Sequence, residues 1–325
     1  MSLDGPERPV GGLAVRAPAG VELRPVGRSD LADAVALARQ LHDLPPVGDL
    51  KPLRSRLDAL LSSADVTPFL AVDAGHAVGL GVLQFRRRLN FATFEGWISD
   101  LFVADAARGR GVGRALLNAL IAEWRLRGSH RLQAKLPHGA IAAEGLYRAA
   151  GLEEWMLDFA MRPIATSPAV VPNGVTIRAT AERDAAAVTG LISQFGAARR
   201  PPAERAEAVG RTFAAHVAHV AAGNGYSAVA VADGAVIGVC AVEWQAPFWT
   251  DERHAWLPDL IVDEGQRGRG IGRALLVDAM RAARAAGAAQ LSLESGPQRE
   301  AAHALYRSVG FTEPGRTWLL RREPS

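Results

Sequence analysis

Cysteine is almost missing from this sequence: Cys240 is the only one in 325 residues. A disulfide framework is thereby excluded, and the usage fits a reducing cytoplasm, which is the expected location. Cys240 stands in the apolar run Val236 to Val242, which reads as a strand, so packing is its expected role. Lysine is nearly as scarce, at Lys51 and Lys135 only, and arginine supplies the rest of the 37 basic residues. Against 34 acidic residues the formal charge is +3, too little for an electrostatic nucleic-acid footprint, so no nucleic-acid partner is expected. The densest basic run, Arg86-Arg87-Arg88, falls at an expected strand end and reads as a solvated face. No apolar run approaches the roughly 20 residues that cross a bilayer, and no signal peptide opens the chain; a soluble protein without a membrane partner is expected. No His or Cys cluster has ligand spacing, so no metal is expected.

What the sequence does contain is a copy of itself. An offset of 159 residues, that of Arg108 to Arg267, superimposes Phe69–Leu152 on Ala228–Phe311 without a gap, with roughly three positions in ten identical. Trp97, Asp100, Leu101 and Val103 fall on Trp256, Asp259, Leu260 and Val262. Leu146-Tyr147-Arg148 and Gly151 fall on Leu305-Tyr306-Arg307 and Gly310. Upstream the match is looser and shifted: Val21-Glu22-Leu23-Arg24 lies over Val175-Thr176-Ile177-Arg178, and Asp30 over Asp184. The repeat is too long for a solenoid unit and reads as a domain duplication. A mobile segment over residues 1–20, a first domain over 21–162, a Pro-containing linker over 163–174 and a second domain over 175–325 are expected.

Each copy reads as a short strand, a helix capped near Asp30 or Asp184, and a second helix around Pro52–Ser62 or Pro202–Ala222. In the first copy a strand over Phe69–Val72 turns at Asp73-Ala74-Gly75-His76 into a return strand over Ala77–Phe85. A strand over Thr93–Val103, a glycine-rich turn, a helix over Gly113–Arg127 ending at Gly128, a strand over Arg131–Ala134 and a helix carrying Tyr147 follow. The fold class is mixed α/β, with a mostly antiparallel twisted sheet and helices on both faces in each copy.

The glycine-rich turns, Arg108-Gly109-Arg110-Gly111-Val112-Gly113 and Arg267-Gly268-Arg269-Gly270-Ile271-Gly272, each link a strand to a helix. Glycine lets backbone N–H groups approach an anion closely, and the helix N-terminus attracts phosphate. A packing turn without ligand would need glycine too; flanking arginines and recurrence in the same frame weigh against that reading. The dinucleotide fingerprint fails on glycine spacing, and the Walker loop fails for want of Gly-Lys-Ser/Thr.

Arg-x-x-Gly-x-Gly after a strand ending in Val, then Leu-Tyr-x-x-x-Gly, resembles the GNAT superfamily of N-acetyltransferases over about residues 21–162 and 175–322. The resemblance implies a tandem protein whose acyl donor is acetyl-coenzyme A. It implies that Arg108, Gly109, Arg110, Gly111, Val112 and Gly113, and likewise Arg267, Gly268, Arg269, Gly270, Ile271 and Gly272, hold the coenzyme's pyrophosphate. The preceding strands, Leu101-Phe102-Val103 and Leu260-Ile261-Val262, would splay from a neighbour to admit the pantetheine arm.

Amide formation from a thioester needs a neutral amine, a stabilised oxyanion and a protonated thiolate leaving group. By the resemblance Tyr147 and Tyr306 are the proton donors, against a bland reading as packing tyrosines. Asp100 and Asp259, carboxylates in apolar strands, are read as orienting the site or binding amine, because the preceding residue, an acid and proposed base in many relatives, is Ser99 or Pro258 here. Glu95 and His254 are weaker base candidates, as is a base acting through water, and His138, His216, His219 and His303 weaker still. The stretch Ser295–Tyr306 is the more family-like helix entry, so the second half, through Tyr306, is expected to carry turnover. Phe85, Phe91, Phe94, Trp244, Phe248 and Trp249 suggest an acceptor wall or a domain interface. The expected acceptor is a primary amine of a small molecule or peptide. A mycothiol-synthase-like acetyltransferase and a non-catalytic acyl-coenzyme A sensor are the alternatives. A compact monomeric pseudo-dimer is expected, with a homodimer as the alternative.

Overall fold

A computed structural model describes residues 17–42, 44, 51–91, 93–165, 168, 170–194 and 203–321, without the side chains of 51–56, 203–206 and 208. The expected mobile stretch up to residue 16, Pro202, and residues 166, 167 and 169 of the expected linker lie outside these. The first half runs β1 (Val21–Pro25), α1 (Leu31–Leu41), α2 (Lys51–Ser62), β2 (Val66–Asp73), β3 (His76–Arg86), β4 (Glu95–Val103), α3 (Val112–Leu126), β5 (Arg131–Pro137), α4 (Ile141–Ala149) and β6 (Glu153–Met161). The second repeats the order with β7 (Val175–Ala179), α5 (Ala185–Ser193), α6 (Ala203–Ala221), β8 (Gly225–Ala232), β9 (Ala235–Gln245), β10 (Arg253–Val262), α7 (Ile271–Ala285), β11 (Ala288–Ser295), α8 (Glu300–Ser308) and β12 (Thr312–Arg321).

Local chemistry explains the matching starts. Asp30 accepts Gly27 N–H at 2.8 Å and pairs with Arg24, and Asp184 accepts Ala181 N–H at 2.9 Å and pairs with Arg178 at 2.7 Å. Each carboxylate satisfies a donor that entry into a helix leaves unpaired. The long helices α3 and α7 bury one apolar stripe each, Val112, Leu116, Leu120 and Trp124 in the first, Ile271, Leu275 and Ala279 in the second.

The twelve strands among the described residues form one sheet, in the order β1-β2-β3-β4-β5-β12-β6-β11-β10-β9-β8-β7. Among the described residues only β4–β5 and β10–β11 pair in parallel. The repeat foreshadows β1 to β5 and β7 to β11, but not the exchange at the centre. The first half's last strand, β6, pairs with β11 of the second, and the second half's last strand, β12, pairs with β5 of the first. Each half would otherwise end in an exposed edge at β5 or β11, and the exchange covers both. Helices α3, α4, α7 and α8 pack on one face, and α1, α2, α5 and α6 on the other.

The hairpin loops that follow β3 and β9 cross over as well. Leu89 is buried among Val188, Leu191, Ile192 and Phe213 of the second half. Phe248, at the equivalent position 159 residues on, is buried among Val26, Leu31, Leu37 and Leu57 of the first. Burying such a side chain contributes about 2–3 kcal/mol, so each loop fastens one half to the helices of the other.

Candidate functional site

A cleft opens in each half where two parallel strands part. β4 pairs with β5 only from Gly96 to Ile98, while Leu101, Phe102 and Val103 stay paired with β3. Their edge toward β5 is left open. The register with β3 shifts between Ile98 and Asp100, so Ser99 is an extra, bulged residue. In the second half β10 follows β11 as far as Trp256, the register with β9 shifts between Trp256 and Asp259, and Leu260, Ile261 and Val262 remain on β9. Pro258, which has no N–H to give a ladder, stands in that bulge.

At the mouth of each cleft lies the glycine turn. Gly111 (φ +87°) and Gly270 (φ +84°) are the N-cap residues of α3 and α7 and take the left-handed conformation that favours glycine. A Cβ at Gly109 or Gly268 would meet nothing within 4 Å, so these backbones face open space at a helix N-terminus, which suits a diphosphate. Val112 and Ile271 turn inward and are buried, while Gly113 and Gly272 pack on Val103 and Val262. Arg108 Nε donates to Val103 O at 3.1 Å and Arg267 Nε to Val262 O at 3.3 Å, fixing each turn to its strand. The outer arginines differ: Arg110 pairs with Asp73 at 2.7 Å, whereas Arg269 bonds the neutral Gln266.

Both tyrosines are buried beside their clefts. Burial, and the Asp100 carboxylate, push the Tyr147 phenol above its ordinary range. Tyr306 is pushed up to about 12 by burial, opposed by the Arg299 charge and a hydrogen bond with Ser295. Its ring lies edge-on to Phe159 of the exchanged strand β6 at 5.3 Å, and Trp318 of β12 shares the apolar cluster of Tyr147. Each phenol is therefore packed by the other half.

The two aspartates meet different partners. Asp100, 2% exposed, accepts from Ser99 Oγ at 2.7 Å and faces His42 Nε2 at 3.3 Å. Asp259 accepts the Leu89 N–H from the crossed-over loop at 2.9 Å, and burial raises its carboxyl against the Arg88 charge. His42, at the end of α1, lies against Trp249 of the second half with ring centroids 4.0 Å apart. Of the aromatic residues suggested for a wall or an interface, Phe248 and Trp249 lie at the contact between the halves.

Two readings of the sequence need correction. Arg86 and Arg88 do not form a solvated face: they are 5% and 8% exposed. Glu95 binds Arg86 at 2.6 Å, Arg88 at 2.8 Å and Arg131 at 2.6 Å, and Glu294 binds Arg88 at 2.7 Å and Lys135 at 3.0 Å. The Arg86 guanidinium lies between the equivalent Trp97 and Trp256 rings, 4.4 and 3.8 Å from their centroids. A carboxylate facing three arginines is held well below its usual range even though burial opposes this, so Glu95 is a structural anion and no base. His303 is buried and bonds Ser295 Oγ at 3.1 Å, while His254 sits behind Trp249.

The sequence reading missed His42, Gln84 and Glu243. Gln84 Nε2 donates to Ser99 Oγ at 3.1 Å. Its equivalent, Glu243, is 8% exposed, and burial pushes its carboxyl up to about 8, with Asp259 and Glu95 adding to the rise and Arg86 and Arg87 opposing it. An acid for an amide at one repeat position, in an apolar strand, was the available signal. His42 offered none, because it lies outside the gapless repeat. Among the described residues no group of three His, Cys, Asp or Glu side chains is placed to hold a metal ion, and no helix is long and apolar enough to cross a membrane.

The profile of the Acetyltransferase (GNAT) family matches residues 36–152 and 195–311. The chain belongs to this family and carries its domain twice in tandem. Among solved structures, a tandem GNAT protein from the clavulanic acid biosynthesis pathway superposes with a TM-score of 0.62 at 18% identity, over 94% of this chain and 99% of that one. A GCN5-related N-acetyltransferase from Sphaerobacter thermophilus gives 0.60 at 20% identity, over 95% and 97%. Curated relatives from Pseudomonas paraeruginosa and Pseudomonas aeruginosa, L-methionine sulfoximine/L-methionine sulfone acetyltransferases, are 36% identical over 85 residues, 26% of this chain. The chain spans about half (49%) of the length of these curated relatives.

Proposed function

We propose that the protein transfers an acetyl or other small acyl group from coenzyme A to the primary amine of a small molecule or peptide, in the second half through Tyr306. The observation that carries this reading is the coincidence, at one cleft, of a parted strand pair, an open glycine turn on a helix N-terminus and a buried phenol. Backbone N–H groups of Arg267–Gly272 would hold the pyrophosphate, and the open edge of Leu260-Ile261-Val262 the pantetheine amides. Arg108–Gly113 and Leu101-Phe102-Val103 would do the same in the first half. Tyr306 protonates the departing thiolate; at about 12 its phenol stays protonated at neutral pH and remains a donor.

Glu243 is the proton acceptor we assign to the second cleft. A carboxyl raised to about 8 takes a proton from an ammonium group once it is itself ionised, and it lies opposite Trp256 where the bulge begins. Asp259, tied to Leu89, orients the crossed-over loop that lines the acceptor side. Because curated relatives acetylate L-methionine sulfoximine and L-methionine sulfone, amino-acid derivatives are the first acceptors to try. The test is thiol release from acetyl-coenzyme A with a panel of primary amines, beside calorimetry of coenzyme binding. Binding without thiol release from any amine would favour a sensor over an enzyme.

A further inference from the structure

We infer that the first cleft holds a second amine-activating centre, the pair His42–Asp100, in an acceptor pocket that the second half completes with Trp249. The inference rests on the acyltransferase reading above and adds a base and an acceptor class to the half it left without them. Four side chains form a line: Gln84 Nε2 donates to Ser99 Oγ at 3.1 Å, Ser99 Oγ donates to Asp100 Oδ2 at 2.7 Å, and Asp100 Oδ1 faces His42 Nε2 at 3.3 Å. A carboxylate only accepts, so the Nε2 facing it carries a proton, and in the form that can act as a base the lone pair is on Nδ1. Nδ1 has no partner among the described residues, and the side chain keeps 33% of its surface open, whereas that of Asp100 keeps 1%. An imidazole oriented by a buried carboxylate, itself oriented by a hydroxyl, follows the logic of a base and its orienting acid.

The roof comes from the other half. Trp249 lies on His42 at 4.0 Å, and its carbonyl accepts from Arg39 Nη1 of α1 at 3.0 Å, so the ring is fixed where a stem attached to the amine would pass. Charge and shape together select a protonated primary amine on an apolar or aromatic stem. The ammonium group gives one proton to His42 Nδ1, and Asp100 stabilises the imidazolium. The freed nitrogen pair forms the C–N bond at the thioester carbonyl. On collapse the C–S bond breaks and its electron pair leaves on sulfur, which takes the Tyr147 proton; the surplus nitrogen proton returns to the phenolate, and the imidazolium proton goes to water.

The test uses the full chain carrying Tyr306→Phe, so that the second cleft is silent, with acetyl-coenzyme A and 2-phenylethylamine. His42→Gln should lower kcat by about 100-fold with little change in the KM for acetyl-coenzyme A. Hydroxylamine, neutral at about pH 7.5, needs no base and should be turned over within a few-fold of the His42 parent. Trp249→Ala should raise the KM for phenylethylamine by about 10-fold while kcat holds. In the free protein, ¹⁵N spectra should show His42 as the Nε2–H tautomer, and Asp100→Asn should mix the tautomers. Thiol release that survives His42→Gln, no release once Tyr306 is changed, or a His42 spectrum indifferent to Asp100→Asn overturns the inference. Absence of release in the unmodified protein with every amine overturns the acyltransferase reading itself.

Discussion

At the bulge where β4 leaves β5 the first half places Gln84, Ser99 and Asp100, and at the same positions the second half places Glu243, Pro258 and Asp259. The backbones agree, down to the left-handed glycine that caps the next helix. The side chains do not. Ser99 Oγ donates to Asp100, which also faces His42, while Pro258 has no donor and its carbonyl accepts from Arg88 Nη1 at 2.8 Å. A duplicated scaffold thus keeps the strand parting and the glycine turn, which depend on backbone, and lets the side chains beside them diverge.

The largest effect should come from the charge cluster, where Glu95 corresponds to His254. Glu95→Gln leaves Arg86, Arg88 and Arg131 buried without their shared anion, and should destabilise the chain by about 3–5 kcal/mol in urea unfolding. A loss below about 1 kcal/mol would mean that Glu294 and water compensate.

Next comes the contrast of the two phenols. Tyr306→Phe should lower turnover of the second cleft's acceptor by about 100-fold and leave coenzyme affinity nearly unchanged, whereas Tyr147→Phe should spare that acceptor. If Tyr147→Phe abolishes it and Tyr306→Phe does not, the roles of the halves are reversed.

A pH comparison sharpens the same point. With its folded-state carboxyl raised to about 8, Glu243 has no cost while protonated, and it costs stability progressively as pH rises from the unfolded carboxylate range through about 8. Glu243→Gln should therefore stabilise the protein more at pH 9 than at pH 6, and should remove the rise in second-cleft turnover that the deprotonated carboxylate gives through about pH 8. Equal stabilisation at both pH values would show that Glu243 ionises normally.

The smallest effect concerns the glycine turns. Asp73 neutralises Arg110 in the first turn, and the second turn has Ala232 at that position beside Arg269. Asp73→Ala should tighten coenzyme binding to the first half a few-fold at low salt, an effect that added salt removes. Calorimetry of the variant with two resolved sites would measure it.

The arrangement of strands, the glycine turns and the paired tyrosines were legible because each leaves a local mark: alternation, a glycine where φ must be positive, a tyrosine kept at one interval; the parted pair came only with the family resemblance. Glu95 looked like a free acid at a strand start, and Arg86 and Arg88 like a surface run, since nothing adjacent in sequence told that Glu294 would approach from the other half. His42 was silent for the same reason: its partners are 58 and 207 positions away, at Asp100 and Trp249.

By itself, then, the sequence determined the duplication, the mixed α/β class and the two glycine turns, all set by period, glycine conformation and helix capping within a few dozen residues. Tertiary structure alone decided that β6 and β12 change places, that Leu89 and Phe248 cross over, and which neighbours from the opposite half the buried charged groups meet. The physical reason is that pairing an open sheet edge and burying a charge depend on what arrives across space, and those arrivals have no period along the chain.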